Sequence, residues 1–195
     1  PAPGRWVGVL LSWVGDFPTG LAAGYITLAI STSADPTGAW DVYTFPYADE
    51  LGAATLPDYP GLASSSDKIV VAVNEYQPGP TFLGSSILVV TWSSILAGSV
   101  AGHRQSLPDP TLWRIRPAQV LSPSPDVHLV AEASTTGDVL YRKVTGAGSD
   151  FDASGWVDLT STIGVDVFGV PPAPAQPGSP STILEAVQDG PSDAV

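Results

Sequence analysis

The stretch ISTSADPTGAWDVYTF, residues 30–45, carries most of what decides the fold. It leaves a β-branched run, passes through Asp35-Pro36 and Gly38, and resumes with Trp40, Val42 and Thr44 alternating against Asp41, Tyr43 and Phe45. Alternation with a period of two marks a strand, and Asp-Pro followed by Gly is turn chemistry. A carboxylate at Asp35 can accept backbone N–H bonds across the turn, with Ser33 beside it. Pro36 presets the first turn dihedral, and Gly38 offers a position open to positive φ. The stretch predicts strand, turn, strand, with Trp40 supplying a large apolar surface between neighbouring sheets.

The same reading extends in both directions. RWVGVLLSWV (5–14) is nearly continuous in apolar residues, as in a strand buried on both faces, and GDFPTG turns it into YITLAIS (25–31). After a turn-rich segment from Pro46 to Ser66, KIVVAVNEY (68–76) pairs with SSILVVTW (85–92), and SSILAGS makes one helical turn. HRQSLPDP connects to LWRIRPAQVL (112–121), a strand interrupted at Pro117. VHLVAEAS and DVLYRKVTG form a hairpin about Thr136-Gly137. GWVDLT and IGVDVFGV supply further short strands, and a proline-rich loop from Pro171 to Ser181 precedes ILEAVQ. No segment sustains a 3.6-residue period, so the chain reads as all-β.

A repeat sharpens this. TLAIS (27–31) and VVAVN (70–74), both β-branched strands ending in a small polar residue, begin 43 residues apart, and LVAEAS (129–134) follows after a longer step. Each is followed by a partner strand: WDVYTF, SILVVTW and DVLYRKV. Roughly 40–50 residues per four-stranded sheet is the period of a β-propeller. The expected architecture is therefore a β-propeller fragment of about three four-stranded blades, with a β-sandwich as the alternative. Residues 1–195 form a single partial domain. The absence of Met at Pro1 and a plausible strand at Asp193-Ala194-Val195 suggest that the domain continues beyond both ends.

Composition limits the function classes. The 195 residues are 44% hydrophobic and 13% charged, which is globular and not disordered. Twenty Pro and twenty Gly suit short strands joined by turns better than a helical bundle. A net charge of −12 with seven Lys and Arg argues against nucleic acid, whose phosphates need cations. There is no Cys, so no disulfide framework or thiolate zinc site is available. No run of eighteen apolar residues encodes a membrane span, and any signal peptide lies outside the segment.

Residues 31–40, then Leu56-Pro57-Asp58-Tyr59-Pro60, then DKIVVAVNEY and SILVVTWSSILAG, resemble blades of large secreted bacterial β-propeller proteins of sialidase-like fold. The stretch PPAPAQPG with ILEAVQDGPSDAV is similar to a later blade of that group, so the resemblance spans nearly the whole chain. It implies an extracellular or cell-surface location, with the remaining blades of the same chain as partners. It carries no common reaction, because fold alone does not set function. The opening stretch also resembles an Asp-box, the blade hairpin motif Ser-x-Asp-x-Gly-x-Thr-Trp: Ser33, Asp35 and Trp40 match, Gly38 arrives one place late, and Thr is missing before Trp40. The resemblance makes Ser33, Asp35, Gly38 and Trp40 structural turn residues on the rim away from a ligand face.

Candidate chemistry is thinner. Glu75-Tyr76 is the best local pair for a glycosidase-like site, although neighbouring strand residues point to opposite faces unless the strand ends there. Asp58-Tyr59 sits in a proline-flanked loop of the kind that lines ligand faces, or that merely fixes the entry into a strand. Trp113-Arg114-Ile115-Arg116-Pro117 is similar to the aromatic-Arg-Ile-Pro motif of sialidases, but it has an extra Arg and follows the Asp-box-like turn. It makes Arg114 a candidate for holding a carboxylate, or else an exposed Arg pair answering an acidic surface. His103 and His128, with Asp109 or Asp126 nearby, lack a nucleophile elbow and metal-ligand spacing, so no metal or other cofactor is expected. The leading expectation is a module binding carbohydrate or protein without catalysis. The rival is a glycoside hydrolase using Glu75, Tyr76 and Asp58, with Tyr59 and Arg114 as ligand contacts.

Overall fold

A computed structural model describes residues 4–107, 109, 112–133, 139–146, 151–153 and 157–158. They form three antiparallel sheets in chain order. Sheet 1 is β1 (Val7–Asp16), β2 (Gly20–Ser31) and β3 (Trp40–Tyr47). Sheet 2 is β4 (Leu56–Ser64), β5 (Lys68–Gln77), β6 (Thr81–Thr91) and β7 (Gly102–Leu107). One helical turn, α1 (Trp92–Leu96), follows β6. Sheet 3 is β8 (Leu112–Pro117), β9 (Val127–Ala133), β10 (Val139–Val144) and the short β11 (Val157–Asp158). Each sheet is an up-and-down meander in which every strand pairs with its sequence neighbour. The three repeated segments are β2, β5 and β9, the second strand of each sheet, and their partners are β3, β6 and β10.

The sheets stack in series with sheet 2 in the middle. Ile26, Leu28 and Ile30 of β2 alternate toward Ile69, Val71 and Val73 of β5 and Leu88 and Val90 of β6, closing one core. The opposite face of sheet 2 offers Val70, Ala72, Ile87 and Val89 to Ile115, Val127, Leu129 and Ala131 of sheet 3, closing the second. The apolar run of β5 is thus buried on both faces. The run in β1 is not: it is an edge strand, with Leu10 and Val14 exposed on one face and Trp13 half-exposed on the other. Its apolar composition belongs to a surface, which periodicity alone does not reveal.

Two strands lie where the sequence reads as loop. β4 falls inside the turn-rich segment, so Asp58 and Tyr59 belong to a strand, and β7 occupies GHRQSL. Both are edge strands, where Pro57 and Pro60 and a polar sequence are tolerated. GWVDLT contributes only Val157–Asp158; the turn at Thr136-Gly137, IGVDVFGV, the proline-rich loop and ILEAVQ lie outside the described residues.

Inter-sheet joints are specific. Lys68 is fully buried; its Nζ donates to Asp67 Oδ1 at 2.9 Å and to the Pro125 carbonyl at 2.5 Å, tying β5 to the approach to β9. Trp92 Nε1 donates to the Ser65 carbonyl at 3.1 Å, fixing the α1 end of sheet 2. Between sheets 1 and 2 the approach is so close at Gly24 that a Cβ there would lie 2.0 Å from the Thr55 carbonyl oxygen. No helix among the described residues is long and apolar enough to cross a membrane.

Candidate ligand-binding site

The Asp-box-like turn closes as a local hydrogen-bonded unit. Asp35 Oδ1 accepts from Thr37 N at 2.9 Å and from Thr37 Oγ1 at 2.7 Å, Asp35 N donates to Ser33 Oγ, and Gly38 N returns to the Asp35 carbonyl. The two bonds from Thr37, side chain first, hold the Asp35 carboxyl below its usual pKa. Gly38 does not take positive φ; a Cβ there would press to 3.3 Å on the Asp35 carbonyl, so close approach is what favours glycine. Trp40 lies on the outward face of sheet 1, away from sheet 2; its Nε1 donates to the Pro36 carbonyl, and Trp6 Nε1 donates to the Ala34 carbonyl. The turn and its two indoles are thus engaged with one another.

Glu75 and Tyr76 are separated by the sheet. Glu75 points toward sheet 1, where it is buried and accepts from Arg104 Nε at 3.0 Å, Arg104 Nη2 at 2.6 Å and Thr55 Oγ1 at 3.0 Å. Arg104 Nη1 also donates to the Ala48 carbonyl, and the guanidinium lies 4.7 Å from the Tyr47 ring centroid. Burial, followed by the Glu75 charge, pushes the Tyr47 phenol far above its usual pKa. Its hydroxyl and Ser86 Oγ are neighbours, yet both stay buried without reaching hydrogen-bond geometry. Glu75 and Arg104 line a cleft of about 240 Å³ with Asp49, Gln77, Leu83 and Ser106. The Glu75 carboxylate is thus held in a charge-assisted fork by the Arg104 guanidinium.

The other face of β5 brings the remaining candidates together. β4 and β8, the first strands of sheets 2 and 3, carry the same irregularity. In β4 the register jumps between Asp58 and Gly61, and in β8 between Trp113 and Arg116, which marks a bulge in each. Each bulge holds one left-handed residue: Tyr59 with φ 57° and Arg114 with φ 54°. Non-glycine residues hold that conformation at a cost of about 1–3 kcal/mol, and such strain gathers at binding sites. Asp58 Oδ1 accepts from Tyr59 N at 2.8 Å and braces the first bulge. Asn74 Oδ1 accepts from Arg114 N at 3.2 Å and braces the second across the sheet boundary, while Ser85 Oγ donates to the Leu112 carbonyl.

Around these bulges aromatic and guanidinium groups stack. Arg116 lies 4.0 Å from the Tyr59 ring centroid and donates to the Tyr59 carbonyl, and Arg114 lies 4.3 Å from the Trp113 ring centroid. Burial lowers the Arg116 pKa, with Tyr59 opposing and the like charge of Arg114 adding to the shift. Tyr76 is raised mainly by burial, with Asp58 adding to it, while Trp113, Asn74 and Arg114 act the other way. The structure therefore joins Asp58, Tyr59, Tyr76 and Arg114 and leaves Glu75 apart. Asn74, Ser85 and Arg104 do not stand out in the sequence as partners. The only trace of Asn74 is its place as the small polar end of the second repeat.

The two histidines are apart, His103 on β7 and His128 on β9, where His128 Nδ1 meets Tyr141 Oη at 2.7 Å. Among the described residues no group of three His, Asp or Glu could hold a metal ion. No family model, curated protein or solved structure matches the chain.

Proposed function

We propose that the three sheets are consecutive blades of a β-propeller from a secreted or cell-surface protein of the sialidase-like group, acting as a binding module and not as a hydrolase. The ligand is a carbohydrate or a protein segment that lies over the bulges of β4 and β8. The observation carrying this reading is the matched pair of left-handed residues, Tyr59 and Arg114, each set beside an arginine–aromatic stack. A guanidinium held over a ring face combines cationic and aromatic surface, and aromatic surface suits the C–H faces of a sugar or an apolar side chain. The meander of each sheet and the two-sided burial of sheet 2 favour blades over a two-sheet sandwich. Glycoside hydrolysis needs two carboxyl groups flanking one bond, and the engagement of Glu75 by Arg104 and Thr55 favours binding.

The test is a glycan and peptide panel read by calorimetry. Trp113→Ala and Arg114→Ala should each weaken a positive ligand at least tenfold, whereas Asp35→Ala should leave affinity intact. Equal binding by all three variants, or ligand turnover lost in Glu75→Gln at unchanged melting temperature, would overturn the assignment.

A further inference from the structure

The cleft of about 240 Å³ at the boundary of sheets 1 and 2 takes no part in the binding reading above, because it is built around Glu75 and Arg104 and not around the bulges. Its hydrogen-bond donors are already engaged. Arg104 Nε and Nη2 donate to Glu75, Arg104 Nη1 donates to the Ala48 carbonyl, Gln77 Nε2 donates to Asp49 Oδ2 at 2.6 Å, and Ser85 Oγ donates to the Leu112 carbonyl. Acceptors remain. The Glu50 carboxylate stands exposed at the rim with no partner among the described residues, and Asp49 Oδ2 accepts from Gln77 alone among them. Behind the Glu75–Arg104 wall the Tyr47 hydroxyl, whose ring the Arg104 guanidinium covers, is buried without a hydrogen bond. So is Ser86 Oγ, in register with Ser106 of the lining. Buried hydroxyls without partners are uncommon in folded proteins, and these two leave the wall further short of donors.

Charge runs the same way, since Asp49, Glu50 and Glu75 line the cleft against the single guanidinium of Arg104. We propose that this cleft binds an organic cation, a guanidinium or ammonium group carried on a short aliphatic stem. Such a group supplies donors and positive charge together. An anion would have to compete with Glu75 for the donors of Arg104, and among the described residues the carboxylates do not group closely enough to hold a metal ion.

The stem is read from the apolar part of the lining, Leu51, Leu83 and Leu107. Leu51 is 95% exposed, yet its position is fixed: Asp49 Oδ1 accepts from Leu51 N at 2.9 Å and from Ala53 N at 2.8 Å, and Gly52 turns the chain with φ 83°. A leucine held in solvent at the mouth of an acidic cleft gives an aliphatic chain something to lie against while its charged head goes deeper. The volume is below that of pockets enclosing drug-sized ligands, and suits a group the size of one basic side chain.

Calorimetric titration of the full chain with butylguanidine, with methylguanidine and with arginine blocked at both ends is the test. Butylguanidine should bind more tightly than methylguanidine. Glu50→Gln should weaken it about fivefold, and Glu50→Lys should abolish binding. Leu51→Ala should remove the advantage of the longer stem and leave methylguanidine unchanged. Glu50 and Leu51 are both exposed, so these variants should keep the wild-type melting curve. Asp41→Asn, at an exposed carboxylate outside the cleft, and Trp113→Ala, at the bulge of β8, should leave binding intact, which separates this site from the ligand proposed above. Binding of the blocked arginine as well assigns the cleft to a basic side chain of a protein partner, and binding of butylguanidine without it assigns the cleft to a free amine. No heat from any of the three probes at millimolar concentration overturns the proposal. Equal weakening by Asp41→Asn and Glu50→Gln also overturns it, because the attraction would then belong to the net charge of the chain, as does a calcium titration that outcompetes butylguanidine at Glu50.

Discussion

Asp35 accepts both of its short hydrogen bonds from Thr37, and that is why its carboxyl ionises more readily than usual. A depressed folded pKa gives stability that is present above the unfolded value of about 3.8 and lost as pH falls through the folded one. Asp35→Ala should therefore melt below the wild type at pH 7, and the gap should close as the pH falls below 3.8. A gap that persists at full size in the most acidic buffers, read by calorimetry, would mean the carboxylate is not its source. Tyr47 is the opposite case: its phenol is held neutral by burial, and its hydroxyl faces Ser86 without bonding. Removing a buried, unpaired hydroxyl relieves a desolvation penalty of about 1–3 kcal/mol. Tyr47→Phe should be neutral or stabilising in urea denaturation, and a loss of more than about 1 kcal/mol would show that the hydroxyl has a partner after all.

At the scale of elements, what is legible in the sequence is the paired interior of each sheet. β2, β5 and β9 announce themselves by β-branched runs with a common ending, because their packing on neighbours dictates residue type. β4 and β7 do not, because an edge strand escapes the demand for a donor at every position and so accommodates Pro57, Pro60 or GHRQSL. The bulges are hidden for a related reason: left-handed backbone usually signals itself through Gly or Asn, and here Tyr59 and Arg114 adopt it. That choice of residue is itself testable. Tyr59→Gly and Arg114→Gly each relieve about 1–2 kcal/mol of left-handed cost while losing a comparable amount in stacking and chain entropy. Unfolding free energies should change by less than about 1 kcal/mol, whereas ligand affinity should collapse. A large stability loss with intact affinity would make the bulges structural devices and not contacts.

At the scale of the molecule, two kinds of joint hold the stack. Sheets 2 and 3 are tied by polar bridges, Lys68 to the Pro125 carbonyl and Asn74 to Arg114 N, and sheets 1 and 2 by bridges from Arg104 to the Ala48 carbonyl and from Gln77 to Asp49, together with a close contact at Gly24. The contact at Gly24 is backbone on backbone: a Cβ would stand 2.0 Å from the Thr55 carbonyl oxygen and 2.9 Å from Pro57 Cδ, and neither can swing away. At Gly102 the atoms that a Cβ would meet, at 2.5 and 2.9 Å, belong to the Phe45 ring and the Leu88 side chain, which can rotate. Gly102→Ala should therefore cost the usual ~1–3 kcal/mol of overpacking, and Gly24→Ala should cost more, because only movement of a whole sheet relieves it. Hydrogen exchange should show where the cost falls. In Gly24→Ala the amides of β1 and β2 should lose protection while those of β9 and β10 keep theirs, since the bridges between sheets 2 and 3 are untouched. Uniform loss across all three sheets would mean that the stack folds as one cooperative unit, in which the boundary at Gly24 has no separate energy.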